Sequence, residues 1–215
     1  MKEVPEIILA SASPRREKLL RQMGLHFVVI RPDGVEEATR GAAPDVLVMQ
    51  NAQRKARAVA GKHSEAVVLG ADTEVVLDGL VFGKPRDLDE AETMLSNLAG
   101  RRHEVLTGVC VIHRALDTEI TFAEHTRVWM RPMTREQIRD YLTKVNPLDN
   151  ASGIYDHAGK WQKTHGYLSW AGAYAIQHGD IVERIEGSYS NVMGLPVERL
   201  KATLEKLGIL GSISG

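Results

Sequence analysis

Short apolar runs alternate with amphipathic stretches along the N-terminal part of the chain. "EIILAS" reads as a buried strand that leads straight into an amphipathic stretch from Pro14 to about Met23, and "HFVVI" reads as a second strand. This strand–turn–helix opening predicts an α/β protein. A longer helix is predicted over Asp45 to Gly61, where Val48, Ala52, Lys55, Ala56 and Val59 recur on one face at helical spacing. Lys55 therefore sits on the stripe that should face protein. "EAVVLGADT" is the continuous apolar run of a central strand and ends abruptly in Asp72 and Thr73.

The pattern then shifts to alternation around a turn. "TEVVLDGLVFGK" predicts a hairpin turning at Asp78-Gly79, and "DLDEAETMLSNLAG" a helix with an acidic first turn and a glycine stop. Two long strands follow, from "RHEVLTGVCVIHRA" to "EITFAEHTRVWMRPM". The helix "TREQIRDYLTKV" comes next, with Thr134 and Gln137 spaced as a capping box. Both faces of a twisted sheet are expected to be covered. Residues Asn150 to Trp170 show no clear period and read as a long loop or excursion. "AGAYAIQHGDIVERIEGS" reads as another hairpin, "YSNVMG" as a loop and "LPVERLKATLEKLG" as a last helix.

Composition narrows the partners. The chain has 215 residues, enough for one large or two small domains, and its 27 basic residues nearly cancel its 28 acidic ones. No global field favours nucleic acid or an anionic membrane surface, so any anion site must be local. With only 5% aromatic residues there is also little to stack on bases, and a nucleic-acid-binding module is not expected. No window approaches the roughly 18 apolar residues of a membrane span. Cys110, the only cysteine, excludes an intramolecular disulfide or a cysteine-based zinc cluster and leads us to expect the cytoplasm.

Candidate chemistry gathers near the first helix. In "LASASPRREKLL", Ser13 and Pro14 suit an N-cap and first helical position, yet Arg15 and Arg16 then fall in the first turn, where the helix dipole is positive. An incoming polyanion would account for them, since phosphates suit a helix N-terminus and arginine forks bind their oxygens in pairs. Solvated arginines at a helix end are the alternative, as is a snorkelling Lys55. Counting outward from a two-residue Asp78-Gly79 turn sets Leu77 against Leu80 and Thr73 against Lys84, so that Lys84 would lie beside Asp72. That pair reads either as a structural ion pair or as part of a ligand site at the carboxyl end of a buried strand. Glu36 and Glu37, in "DGVEEA", read as an acidic loop or, with Asp72, as carboxylates for Mg²⁺. A P-loop, a G-x-S-x-G elbow and a zinc-helix histidine pair are all missing.

Taken together, "LASASPRREKLL", "GADTEVVLDG…GKPRD", "TGV", "AGAYAIQ" and "GSYSNVMGLP" resemble, in order, the motifs of the Maf family of nucleoside triphosphate pyrophosphatases. The resemblance runs from about Ile7 to Leu207. It implies one Maf-like domain over residues 1–215 whose mixed, twisted sheet forms two lobes with a central cleft, similar to inosine triphosphate pyrophosphatases and commonly a homodimer. It further implies hydrolysis of a nucleoside triphosphate to monophosphate and pyrophosphate with a divalent metal, Mg²⁺ or Mn²⁺. Ser11, Arg15, Arg16, Lys55 and Lys84 would surround the phosphates, Glu37 and Asp72 would handle metal and water, and Gln177 matches a further active-site position. "SPRR" and "GADT", with Thr73 after the aspartate, are similar to the branch acting on dTTP and UTP, and modified pyrimidine nucleotides fall in the same class.

Attack of water on the α-phosphorus needs three phosphates neutralised, a positioned water and a base. Asp72 suits the base by position, but a carboxylate beside a lysine and a metal is a weak proton acceptor, which leaves Glu37 as the other choice. The family is also linked to inhibition of septum formation, so a nucleotide-binding regulator with little turnover is the alternative function. The joint presence of Glu37 and Asp72 favours the enzyme. One departure stands out. A segment of about twenty residues, "NASGIYDHAGKWQKTHGYLSW", separates Pro147-Leu148-Asp149 from Ala171-Gly172, and the usual lysine before "AGAYAIQ" is missing. This atypical insertion at about 150–170 reads as a lid or dimer contact, with Trp161 or Trp170 covering a base or a partner, or else as a surface excursion.

Overall fold

The apolar runs become strands of one mixed sheet. A computed structural model describes residues 5–37, 42–145, 153–155, 161–163, 171–174, 176 and 180–210. The first elements are β1 (Ile7–Ala10), α1 (Pro14–Gln22), β2 (Phe27–Ile30), α2 (Pro44–Ala60), β3 (Val67–Leu77), β4 (Leu80–Phe82) and α3 (Leu88–Leu98). They are followed by β5 (Arg102–His113), β6 (Thr118–Met130), α4 (Arg135–Val145), β7 (Gly153–Tyr155), β8 (Trp161–Lys163), β9 (Val182–Glu186), α5 (Tyr189–Val192) and α6 (Val197–Lys206). Seven strands form the main sheet in the order β2-β1-β3-β5-β6-β9, with β4 paired to β3. β1 runs parallel to both β2 and β3, whereas β4 and β9 pair antiparallel with β3 and β6.

The chain divides into two compact units, one made of Met1–Thr73, Leu106–Thr126 and Gly187–Gly215, the other of Glu74–Val105 and Arg127–Glu186. In the first, strand alternation sorts the core into two layers. Leu9, Leu69 and Val109 pack with Leu19 and Leu20 of α1 and Leu200 and Leu204 of α6. Ile8, Val68 and Cys110 pack with Ala52, Ala56 and Val59 of α2. Both faces of this part of the sheet are thus covered, as the pattern predicts. Burial pushes the Cys110 thiol up to about 11, which leaves it a small apolar filler.

The α2 layer is unusually close. A Cβ at Gly70 of β3 would lie 2.3 Å from the Ala52 carbonyl oxygen and 2.8 Å from the Ala56 amide nitrogen. One at Gly108 of β5 would lie 2.3 Å from the Val48 carbonyl. The helix backbone therefore rests directly on two strands, which only glycine at these positions permits.

In the second unit the Asp78-Gly79 turn has φ of 51° and 79°, the paired positive values of a type I′ hairpin. Its ladder is Leu77 with Leu80, Val76 with Val81 and Val75 with Phe82, the counted register, and it ends before the Thr73 and Lys84 position. Asp87 caps α3 by accepting the Glu90 amide at 2.8 Å, and Thr134 and Gln137 form the reciprocal capping box of α4 at 3.2 and 2.8 Å. Glu92 of α3 accepts from Arg139 at 2.8 Å and from Arg135, joining α3 to α4. His103 Nε2 lies 2.6 Å from the Tyr174 hydroxyl, and burial lowers its pKa to about 4, so it is neutral at physiological pH.

Several readings differ from the structure. Ser13 is extended before α1, but its side chain caps nothing; its N–H instead donates to the Ser11 Oγ at 3.1 Å. "YSNV" forms the short helix α5, because Ser188 accepts the Asn191 amide at 3.1 Å and so supplies an N-cap. Among the described residues, the stretch before Gly187 contributes β9, which pairs with β6. Within the excursion, β7 and β8 pair antiparallel, Gly153 with Lys163 and Tyr155 with Trp161. Gln177, Trp170 and most of the insertion lie outside the described residues.

Gly70→Ala should destabilise the protein by about 3 kcal/mol, the upper range for overpacking against an unyielding neighbour. Urea denaturation should show a lower midpoint with an unchanged slope. A midpoint equal to that of the wild type would mean that α2 does not rest on β3 at this point.

Candidate active site

β3 carries Asp72 and Thr73 at the end of its run through the first unit, α2 carries Asn51 and Lys55 one turn apart, and the β1–α1 turn carries Ser11, Arg15 and Arg16. Because α2 sits in backbone contact with β3, its two inward polar side chains reach the aspartate. Lys55 Nζ donates to Asp72 Oδ1 at 2.7 Å, and Asn51 Nδ2 to Asp72 Oδ2 at 3.0 Å. Lys55 Nζ is also 2.7 Å from Glu37 Oε1 and 3.4 Å from the Ala71 carbonyl, so its three N–H groups are all engaged. Asp72 is 4% exposed and Lys55 8%, whereas the Glu37 side chain keeps 34% of its surface in solvent. Arg54 donates to the Glu36 carbonyl at 3.4 Å, and the Glu36 side chain is exposed.

Burial alone would push the Asp72 carboxyl up. The Lys55 charge and hydrogen bond, the Arg16 charge and the Asn51 hydrogen bond together outweigh it and hold the group below the usual carboxylate range. Asp72 is therefore an anion at neutral pH and a poor proton acceptor.

The Arg16 guanidinium is buried, answering the puzzle of its position in the first turn. Nε donates to the Gly194 carbonyl at 2.7 Å, Nη2 to Thr73 Oγ1 at 2.9 Å and Nη1 to Ser11 Oγ at 3.3 Å. Gly194, at φ +107°, presents that carbonyl from the segment after α5, in a conformation that L side chains rarely adopt. Ser11 Oγ accepts from both Arg16 and the Ser13 amide, and Arg15 is half-buried at the same turn. The structure thus brings together Ser11, Arg16 and Thr73 in one group, and Glu37, Lys55 and Asp72 in the adjoining one.

Lys84, exposed after β4, belongs to the second unit; the lysine that Asp72 meets in the first unit is Lys55. Sequence reading passed over Asn51. Its spacing of one helical turn before Lys55 on the buried stripe was the available signal. The carbonyl of Gly194 had no such signal, since it depends on a contact 178 residues away. Among the described residues no group of three His, Cys, Asp or Glu side chains stands together as a metal cluster, and no helix is long and apolar enough to cross a membrane.

The mixed α/β fold has counterparts among solved structures. The Ham1 protein of Staphylococcus aureus aligns with a TM-score of 0.50 and that of Coxiella burnetii with 0.51, each 15% identical and each covering 94% of this chain and 99% of its own. The chain belongs to the family of Maf-like proteins, whose model matches residues 6–207. A relative from Symbiobacterium thermophilum is 43% identical over 205 residues, covering 94% of either chain, and one from Geotalea uraniireducens is 40% identical over 212, covering 98% of this chain and 99% of its own. Both are named dTTP/UTP pyrophosphatase.

The depressed folded-state pKa of Asp72 sets the sign of an acid effect. Its stabilising contribution is present above the unfolded carboxylate value of about 3.9 and is lost as pH falls through the lower folded value. In metal-free buffer, urea midpoints of the wild type should fall steeply below about pH 4, and those of Asp72→Asn should fall less steeply. Parallel acid limbs would show that Asp72 titrates alike in both states.

Proposed function

We propose that this chain hydrolyses dTTP and UTP to the nucleoside monophosphate and pyrophosphate by attack of water on the α-phosphorus. The names of its relatives supply the nucleotides. The observation that carries the chemistry is the buried Lys55 ammonium held at 2.7 Å from each of two carboxylates, Glu37 and Asp72, the second of them next to Thr73 within β3. A purely structural ion pair needs one carboxylate. A second, left one-third exposed, is positioned to exchange partners when a ligand arrives.

In this reading Arg15 and Lys84 meet phosphate oxygens as point charges or forks. Ser11, whose oxygen already accepts two hydrogen bonds, gives its remaining proton to a phosphate oxygen. Lys55 exchanges Glu37 for a phosphate oxygen while keeping Asp72. Asp72, held ionised, orients the water, and Glu37 is the proton acceptor of choice because solvent reaches it.

The donor set suits a divalent cation of the magnesium type, which takes one or two carboxylates and completes its shell with phosphate oxygens and water. Glu37 and Asp72 would hold it, and it would supply further neutralisation of the triphosphate. Gln177 belongs to the same proposal through its motif. So do a cytoplasmic location, suggested by the single cysteine, and a homodimer, suggested by the family resemblance.

Pyrophosphate release from a panel of nucleoside triphosphates, with Mg²⁺ or Mn²⁺, tests the reading. Release should be fastest from dTTP and UTP and should fall at least about a hundredfold in Asp72→Asn, with a smaller loss in Arg15→Ala. Binding without release from any nucleotide would replace the enzyme with a nucleotide-binding regulator.

A further inference from the structure

The hydrogen bonds of Arg16 run one way. A guanidinium has only donors, so Thr73 Oγ1, 2.9 Å from Nη2, is the acceptor there. Thr73 Oγ1 lies 3.0 Å from Thr107 Oγ1, and Thr107 Oγ1 lies 3.1 Å from the Asn191 carbonyl, which can only accept. Thr73 Oγ1 also lies 3.4 Å from the Gly194 carbonyl, a second acceptor for its proton. Whether Thr73 gives its one proton to Thr107 or to that carbonyl, the proton goes to a protein oxygen and is not available to a phosphate.

Asn191 is held in turn: its Nδ2 donates to Thr126 Oγ1 at 2.9 Å and its backbone N–H to Ser188 Oγ at 3.1 Å. Thr107 and Asn191 are both 0% exposed, so neither can exchange these partners for water. Three residues on, Gly194 closes the loop by accepting Arg16 Nε at 2.7 Å. The guanidinium is thereby fixed at one end by the segment after α5 and at the other by β3 and β5.

We infer that Thr107 and Asn191 are positioning residues: through this hydrogen-bonded chain they lock Arg16, and with it Ser11 and Thr73, at the phosphate-facing turn. Thr73 acts through Arg16 rather than as a donor to substrate. The inference rests on the nucleotide hydrolase reading for its meaning, though not for its geometry.

Thr107→Val removes the hydroxyl at nearly constant volume, and Thr107→Ser restores it. The valine variant should lose about tenfold or more in kcat/KM for dTTP and UTP, chiefly in kcat, and the serine variant should recover most of that loss. In parallel, the Arg16 Nε–H resonance, assigned by its loss in Arg16→Lys, should exchange with solvent faster in Thr107→Val than in the wild type or Thr107→Ser. Thr107→Ala gives the same comparison if the valine variant does not fold. Unchanged kcat, KM and Nε–H exchange in a folded variant without the hydroxyl would overturn the inference. If the wild type releases pyrophosphate from no nucleotide, the hydrolase reading falls, and the exchange comparison alone decides whether the chain locks Arg16.

Discussion

Everything at this site depends on keeping a charged Asp72 out of water. Leaving a buried charge without its partner costs about 3–5 kcal/mol, so the carboxylate persists only because Lys55 and Asn51 reach both of its oxygens. Those two side chains reach it because α2 lies on the sheet with no side chain between the backbones at Gly70 and Gly108. Two missing Cβ atoms thus decide the helix height, the helix height decides the ion pair, and the ion pair decides the protonation state of the aspartate. A larger spacing would leave Lys55 to snorkel and Asp72 to take up a proton.

Much of this was legible from pattern. The apolar runs, the α2 stripe with Lys55 inside it, the Asp78-Gly79 hairpin and its register, and the Thr134/Gln137 box all follow from local rules that tertiary packing did not override. The misreadings share a different cause. Ser13 and Pro14 do stand at the N-cap and first helical position, and only the expected side-chain hydrogen bond of Ser13 is missing. "YSNVMG" looked like a loop because the helix it forms is short and polar, and the strand at Val182–Glu186 could not declare β6 as its partner. The role of Arg16 was the hardest to see, since the dipole rule marks a first-turn arginine as misplaced while the carbonyl that satisfies it comes from the far end of the sequence.

The two buried cations of the first unit, Lys55 and Arg16, are engaged before any ligand arrives. Lys55 has two carboxylates and a carbonyl, and Arg16 has a carbonyl and two hydroxyls. In a chain whose net charge is only −1, a cluster of uncompensated positive charge would repel itself and weaken the fold. An anion binding here would therefore bring a change of partners. The free energy gained would be the difference between the anion's oxygen and the group it displaces, which makes the more solvent-exposed Glu37 a better leaving partner than the buried Asp72.

The bond from Arg16 to Gly194 also has a consequence in time. During synthesis the first helix leaves the ribosome long before the segment after α5, and domains fold as their residues emerge. Until the chain has grown by the 178 positions that separate them, the Arg16 side chain has no Gly194 carbonyl to receive it. A nascent chain can assemble β1, α1 and α2 and still not hold the guanidinium in its final place. The turn that carries Ser11 and Arg16 is completed only after the segment following α5 has been made, so a part of the first unit that is early in the sequence is late to take its final form.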